Sequence, residues 1–216
     1  DLEPAVTHGA TLVFMNSGQS CNAPTRMLVP ADRLEDAARI AAKVAANMSI
    51  GDPKDESTAI GPLVSALQLE KVQTLIQKGI DEGANLICGG IEKPEGLSQG
   101  YFVKPTVFSN VNNQMTIARE EIFGPVLSII PYESDEEAIE IANDSPYGLA
   151  AYIQGKDVDR LSHIAGKVRA GMISINGNSG DAHTPFGGYK QSGNGRERGA
   201  HGFEEYLEIK AISGLS

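Results

Sequence analysis

Between Ala31 and Asn176 the spacing of apolar residues switches repeatedly between a helical and an extended period. This alternation constrains the fold more than any other feature. The stretch ADRLEDAARIAAKVAANM places Leu34, Ala38, Ala41, Ala45 and Met48 on one helical face. SALQLEKVQTLIQKGIDEG predicts a second helix, with Val72, Ile76 and Ile80 along one side and Gly83 as a C-terminal glycine cap. NLICGG reads as a buried strand. YFVKPTVFSNV reads as extended, with Pro105 making part of it an edge or a bend, and LSIIPY as a strand. In SDEEAIEIAND, Ser134 and Glu137 have the spacing of a capping box. LAAYIQG, VDRLSHIAGKVRA and GMISIN follow as strand, helix and strand. Strands separated by helices favour parallel pairing, because the helix carries the chain back across the sheet. The expected fold class is α/β: an open, twisted, largely parallel sheet flanked by helices.

The flanks add less. Leu2, Val6, Ala10 and Val13 recur at helical spacing, so an opening helix is expected to end near Gly18, with RMLV as a short strand after it. A glycine-rich segment runs from Asn176 to Gly202, and the tail EEYLEIKAIS alternates well enough to predict a last strand. No internal repeat or low-complexity linker divides the chain, and one domain is the economical count. The hydrophobic share of 41% supports a packed core, and with no Trp that core is mostly aliphatic. The net charge of -10 argues against a nucleic-acid backbone as partner. Two cysteines, Cys21 and Cys88, make no disulfide scaffold and favour a reducing, cytoplasmic setting. No apolar run is long enough to span a bilayer. The N-terminus has no secretory pattern and no initiator Met, so the chain reads as starting inside a longer polypeptide.

Three stretches could carry chemistry. FMNSGQSCNAPTR presents Cys21 between two turn-forming clusters. A thiol there is either a nucleophile whose pKa local N–H groups can lower, or a small buried residue; the local sequence weighs the two equally. Cys88, in an apolar context, reads as core. Of the four histidines only His183, in the loop GDAHTPFGG, is a plausible partner for a cysteine nucleophile. No cysteine or histidine pair has metal-ligand spacing, so no metal is expected. In REEIFGPV, carboxylates precede a Phe-Gly-Pro turn; they could bind a ribose diol, or form a solvated acidic loop. PFGGYKQSGNGRERG is neither a P-loop nor a dinucleotide fingerprint, and a structural loop is the better reading.

In their order along the chain, NSGQSCNAPTR, GPLVSALQLEKV, EEIFGPVLSI, NDSPYGLAAYI and TPFGGYKQSGNGRERG resemble the C-terminal catalytic portion of NAD(P)-dependent aldehyde dehydrogenases. The resemblance implies that Cys21 adds to an aldehyde carbonyl, that hydride passes to NAD or NADP, and that the resulting thioester is hydrolysed to a carboxylic acid. The backbone N–H of Cys21 would help hold the oxyanion. The resemblance also implies that Glu121 binds the nicotinamide-side ribose and Phe123 packs on the nicotinamide. Gln68 and Lys71 would approach the same ribose, while Asn176 and Phe186 would belong to the aldehyde tunnel. Residues 1–203 would form the catalytic domain. Residues 204–216 would form a strand at a subunit interface of a homo-oligomer. The family's general base, the asparagine completing its oxyanion hole and its N-terminal dinucleotide-binding domain precede the cysteine, and are expected upstream of Asp1 in the same polypeptide. Two alternatives come from other function classes: a catalytically inactive assembly module of this fold, and an acyl hydrolase using Cys21 with His183.

Overall fold

Apolar residues at helical spacing open the chain as expected, in α1 (Leu2–Phe14), which buries Val6, Ala10, Val13 and Phe14. The computed structural model describes residues 1–178 and 180–214. They fall into two compact units, Asp1–Ser145 and Pro146–Ser216, where the sequence suggested one domain.

The first unit continues with β1 (Arg26–Pro30), α2 (Leu34–Ala46), α3 (Ala66–Asp81), β2 (Asn85–Cys88), β3 (Thr106–Ser109), α4 (Thr116–Arg119), β4 (Val126–Tyr132) and α5 (Asp135–Asn143). Its sheet has the order β1-β4-β3-β2. β1 and β3 both run parallel to β4, with Arg26 opposite Ser128 and Thr106 opposite Val126; β2 runs antiparallel to β3. The fold class is thus α/β, as the alternation requires.

The central strands explain the apolar runs. All of β3 and the first five residues of β4 are buried, because helices cover both faces. Side chains alternate between faces along β4. Leu127 and Ile129 join one core with α1 and α2, around Ala10, Phe14, Ala37 and Ala41. Val126 and Ile130 join a second core with α3 and α4, around Val72, Ile76 and Ile117.

Two details depart from the sequence reading. β2 is not a buried strand: Leu86 and Ile87 are each 40% exposed, since β2 is the sheet's edge. The buried side of α3 ends in Gly79 rather than Ile80, which is exposed. A Cβ at Gly79 would lie 2.9 Å from Ile117, so close approach of that side chain requires the glycine. The predicted cap at the end of α3 is present as a Schellman motif. Gly83 has φ +88°, its N–H donates to the Ile80 carbonyl, and the Ala84 N–H donates to the Gly79 carbonyl. The capping box is met in half: Ser134 Oγ accepts from the Glu137 N–H as read, while the Glu137 carboxylate accepts from the N–H of Glu133, one residue before the cap, and not from Ser134.

The second unit holds the parallel pair β5 (Ala150–Ile153) and β6 (Met172–Ile175), joined by α6 (Val158–Lys167). Asp157 caps α6 by accepting from the Arg160 N–H. A short helix, α7 (Gly199–Glu204), interrupts the glycine-rich segment. It also changes the expected last strand. Glu204 ends α7, Glu205 and Tyr206 turn, and residues 207–214 pair with no strand among the described residues. Among the described residues this segment has no ladder partner, and Ile209 is 100% exposed. Among the described residues no helix is long and apolar enough to cross a membrane.

Candidate active site

The turn carrying Cys21 begins where α1 stops. Asn16, Ser17 and Gly18 take successive φ values of +51°, +58° and +70°, a left-handed run that ends the helix and throws the chain outward. Cys21 and Asn22 then form the centre of a tight turn closed by the Ala23 N–H donating to the Ser20 carbonyl, 3.1 Å. Cys21 is exposed and its thiol is free of any disulfide. Cys88 differs as expected: it packs at the edge of the α1–α2 core, and burial pushes its thiol pKa up.

Three attachments fix this turn. Ser17, buried, donates its hydroxyl to the Gly61 carbonyl at 2.8 Å. Gln19 Oε1 accepts from the Val64 N–H at 2.9 Å. Gly18 packs on the Gly124–Pro125 backbone so closely that a Cβ there would lie 2.0 Å from the Gly124 carbonyl oxygen. The last contact joins the cysteine stretch to the Phe-Gly-Pro stretch, two motifs about a hundred residues apart in the chain.

On the far side of that contact, Glu121 is exposed and Phe123 is half-buried. Glu121 has no hydrogen bond or ion pair among the described residues, so its carboxylate is available to an external donor. Phe123 has φ +56°, unusual for an aromatic residue. Gln68 and Lys71 stand three residues apart on α3 and share a face. Gln68 reaches the turn, its Nε2 donating to the carbonyls of Ile122 and Phe123 at 3.0 and 2.9 Å. Lys71 is exposed on the same flank. The structure therefore brings Cys21, Glu121, Phe123, Gln68 and Lys71 onto connected elements of the first unit.

Sequence reasoning missed the supports behind this turn. Glu82, just past α3, accepts from both the N–H and the hydroxyl of Thr116 at 2.6 Å, and so caps α4, which leads into Glu121. These bonds hold its carboxyl below the usual range. Arg119 pairs with Asp144 at 3.1 Å, and Asn113 donates to the same carboxylate. The partners lie 25 to 34 residues apart in sequence, and no local signal marks them. Glu82→Gln should lower Tm near neutral pH by about 2–4 °C, a loss of roughly 1 kcal/mol. The folded pKa is depressed, so this stabilisation is present above the unfolded pKa and disappears as pH falls through the folded one. The gap between wild type and variant should therefore narrow under acid in calorimetric scans; a gap that widens contradicts the assignment.

The second unit holds Asn176 and Phe186. Asn176 (φ +51°) spends both amide atoms on Gly155, Oδ1 accepting from its N–H and Nδ2 donating to its carbonyl, each at 2.9 Å. It clips together the loops that follow β5 and β6. Phe186 exchanges two backbone hydrogen bonds with Glu197, and the Arg198 guanidinium lies 5.5 Å from its ring centre. Arg196 donates to the carbonyls of Gly188, Asn194 and Gly195, which suits the structural-loop reading of PFGGYKQSGNGRERG. His183 is exposed; its backbone N–H, not its imidazole, bonds to Asp181. No three metal-ligating side chains cluster among the described residues.

Known proteins share this sequence and geometry. The family model described as the aldehyde dehydrogenase family matches residues 1–212. A 3-succinoylsemialdehyde-pyridine dehydrogenase of a Pseudomonas species is 55% identical over 99% of this chain and 45% of its own length. A cysteine-to-alanine mutant of aldehyde dehydrogenase C from Pseudomonas syringae, solved with NAD+ and octanal, superimposes with a TM-score of 0.97. That protein is 50% identical, with 100% of this chain and 44% of that one covered. An aldehyde dehydrogenase from Mycobacterium tuberculosis, complexed with NAD+, gives a TM-score of 0.92 at 47% identity, over 95% of this chain and 42% of that one. The chain thus spans a little under half the length of the relatives it matches.

Proposed function

The chain belongs to the aldehyde dehydrogenase family, and on that premise we propose that it supplies the thiol-bearing half of an enzyme oxidising an aldehyde to a carboxylic acid. The observation that carries this reading is the packing of Gly18 on Gly124, which ties an exposed thiol to a turn bearing an unpaired carboxylate and a half-open aromatic ring. Cys21 Sγ, as thiolate, bonds to the aldehyde carbon. The Cys21 backbone N–H faces the oxygen that gains charge as this bond forms. When bound, NAD or NADP would supply a two-electron acceptor for the hydride on that carbon, whose loss would leave an acyl thioester on Cys21. Water then cleaves the thioester, releasing the acid and returning the thiol.

The residues present fit such a dinucleotide. Glu121 accepts from the ribose hydroxyls, with Lys71 on the same flank, and the Phe123 ring offers an apolar face to the nicotinamide. The dinucleotide-binding domain, the general base and the second oxyanion donor belong upstream in the same polypeptide. Asn176 and Phe186 shape the aldehyde's tunnel, Asn176 by holding the loop that follows it. Residues 1–203 serve as the catalytic domain. The exposed apolar tail, with Tyr206, Leu207, Ile209 and Ile212, forms the contact with another subunit, which supports a homo-oligomer.

The natural protein should reduce NAD or NADP only when aldehyde is added. Iodoacetamide should label Cys21 far faster than Cys88, with label and lost activity rising together. Ester turnover that needs no dinucleotide and is lost in His183→Ala would instead make the chain a cysteine hydrolase.

A further inference from the structure

We infer that Gln68 is a positioning residue: it serves the site by holding the Phe123 turn in place, not by touching the nucleotide. The inference rests on the reading of Phe123 as the nicotinamide's packing partner, and it changes what α3 does for that partner.

The side-chain amide of Gln68 has two N–H donors. Both carbonyls it faces, Ile122 and Phe123, flank the residue whose backbone is left-handed, at φ +56°. A phenylalanine persists in that region only when its surroundings over-determine it. α3 supplies the constraint at two points on one face. Gln68 binds the carbonyls, and four residues on Val72 presses against Gly124 so closely that a Cβ there would lie 2.6 Å away. Gln68 is itself anchored, because its backbone N–H donates to Ser65 Oγ, the cap of α3. Without the amide donors, both carbonyls must find other partners and Phe123 is free to relax to a negative φ. Its ring then turns away while Cys21, which Ser17 and Gln19 also anchor to Gly61 and Val64 outside the Phe123 turn, stays in place.

The test uses Gln68→Met, which keeps length without donors, and Gln68→Glu, which sets an acceptor against two carbonyls, in the natural protein. Without any nucleotide, hydrogen exchange over residues 120–126 should quicken about tenfold or more in both variants, while exchange over β1 stays unchanged. In the dehydrogenase assay each variant should lose kcat, and the loss should not multiply with that of Phe123→Ala. Cys21 alkylation should keep its wild-type rate. Unchanged exchange over 120–126 overturns the inference. So does a loss confined to KM for the dinucleotide that multiplies with Phe123→Ala, which is the signature of direct ribose contact. If the wild-type protein shows no aldehyde-dependent reduction, the proposed function fails, and the exchange measurement still decides what Gln68 holds.

Discussion

Cys21→Ala should abolish aldehyde-dependent dinucleotide reduction and leave the unfolding transition in place. The two halves of this expectation have separate causes. Cys21 is exposed on a turn held by Ser17, Gln19 and Gly18, so removing its sulfur opens no cavity and breaks no disulfide. Surface truncations of that kind change stability by about 0.5 kcal/mol or less. The chemistry has no substitute for the missing atom. Removing a covalent nucleophile typically costs on the order of 10^4-fold or more in rate. Cys88→Ala is the matched control. It should cost some stability, because Cys88 packs at the edge of the α1–α2 core, and leave the reaction intact. Initial rates of dinucleotide reduction and a calorimetric scan on each variant decide the matter. A Cys21→Ala protein with more than about one-tenth of wild-type kcat/KM, a barrier change under about 1.4 kcal/mol, has its nucleophile elsewhere.

The sequence was informative where a signal is local. A glycine cap, a Ser-x-x-Glu box and apolar runs bounded by turns are decided within a few residues. The end of α3, the start of α5 and the buried strands β3 and β4 therefore lay where they were read. It was uninformative where a distant neighbour decides. β2 has the composition of a core strand, yet among the described residues nothing pairs with its outer edge. Gly79 faces the core in place of Ile80 because Ile117 arrives there from α4. The same limit applied within the site. FMNSGQSCNAPTR left open whether Cys21 was buried; the exposure of the turn answers that. The resemblance set Gln68 on a helix beside a ribose, but the carbonyls it meets lie 54 and 55 residues further on. The tail alternates like a strand, but alternation describes only what a segment can bury, and among the described residues 207–214 are all exposed.

The contact between Gly18 and Gly124 yields the second large effect. Gly18→Ala should destabilise the protein by about 3 kcal/mol or more and cut kcat by on the order of 10^2-fold. Two penalties combine. An alanine at φ +70° costs about 1–2 kcal/mol from left-handed strain alone. Its Cβ would also sit 2.0 Å from the Gly124 carbonyl oxygen, 2.2 Å from the carbonyl carbon and 2.6 Å from Pro125 N. Those atoms are backbone, and Gly124 is itself pressed against Val72, so the turn cannot yield by rotating a side chain. The two turns must separate by roughly 1 Å, a displacement that can cost about a hundredfold when it parts reacting groups. Gly83→Ala separates the penalties, because Gly83 has φ +88° but nothing within 4 Å of the added carbon. It should show the conformational cost alone, with kcat unchanged. Chemical denaturation of both variants, beside their steady-state rates, reads the difference directly. Equal destabilisation within about 0.5 kcal/mol would mean that the cysteine turn and the Phe123 turn are not held together through Gly18.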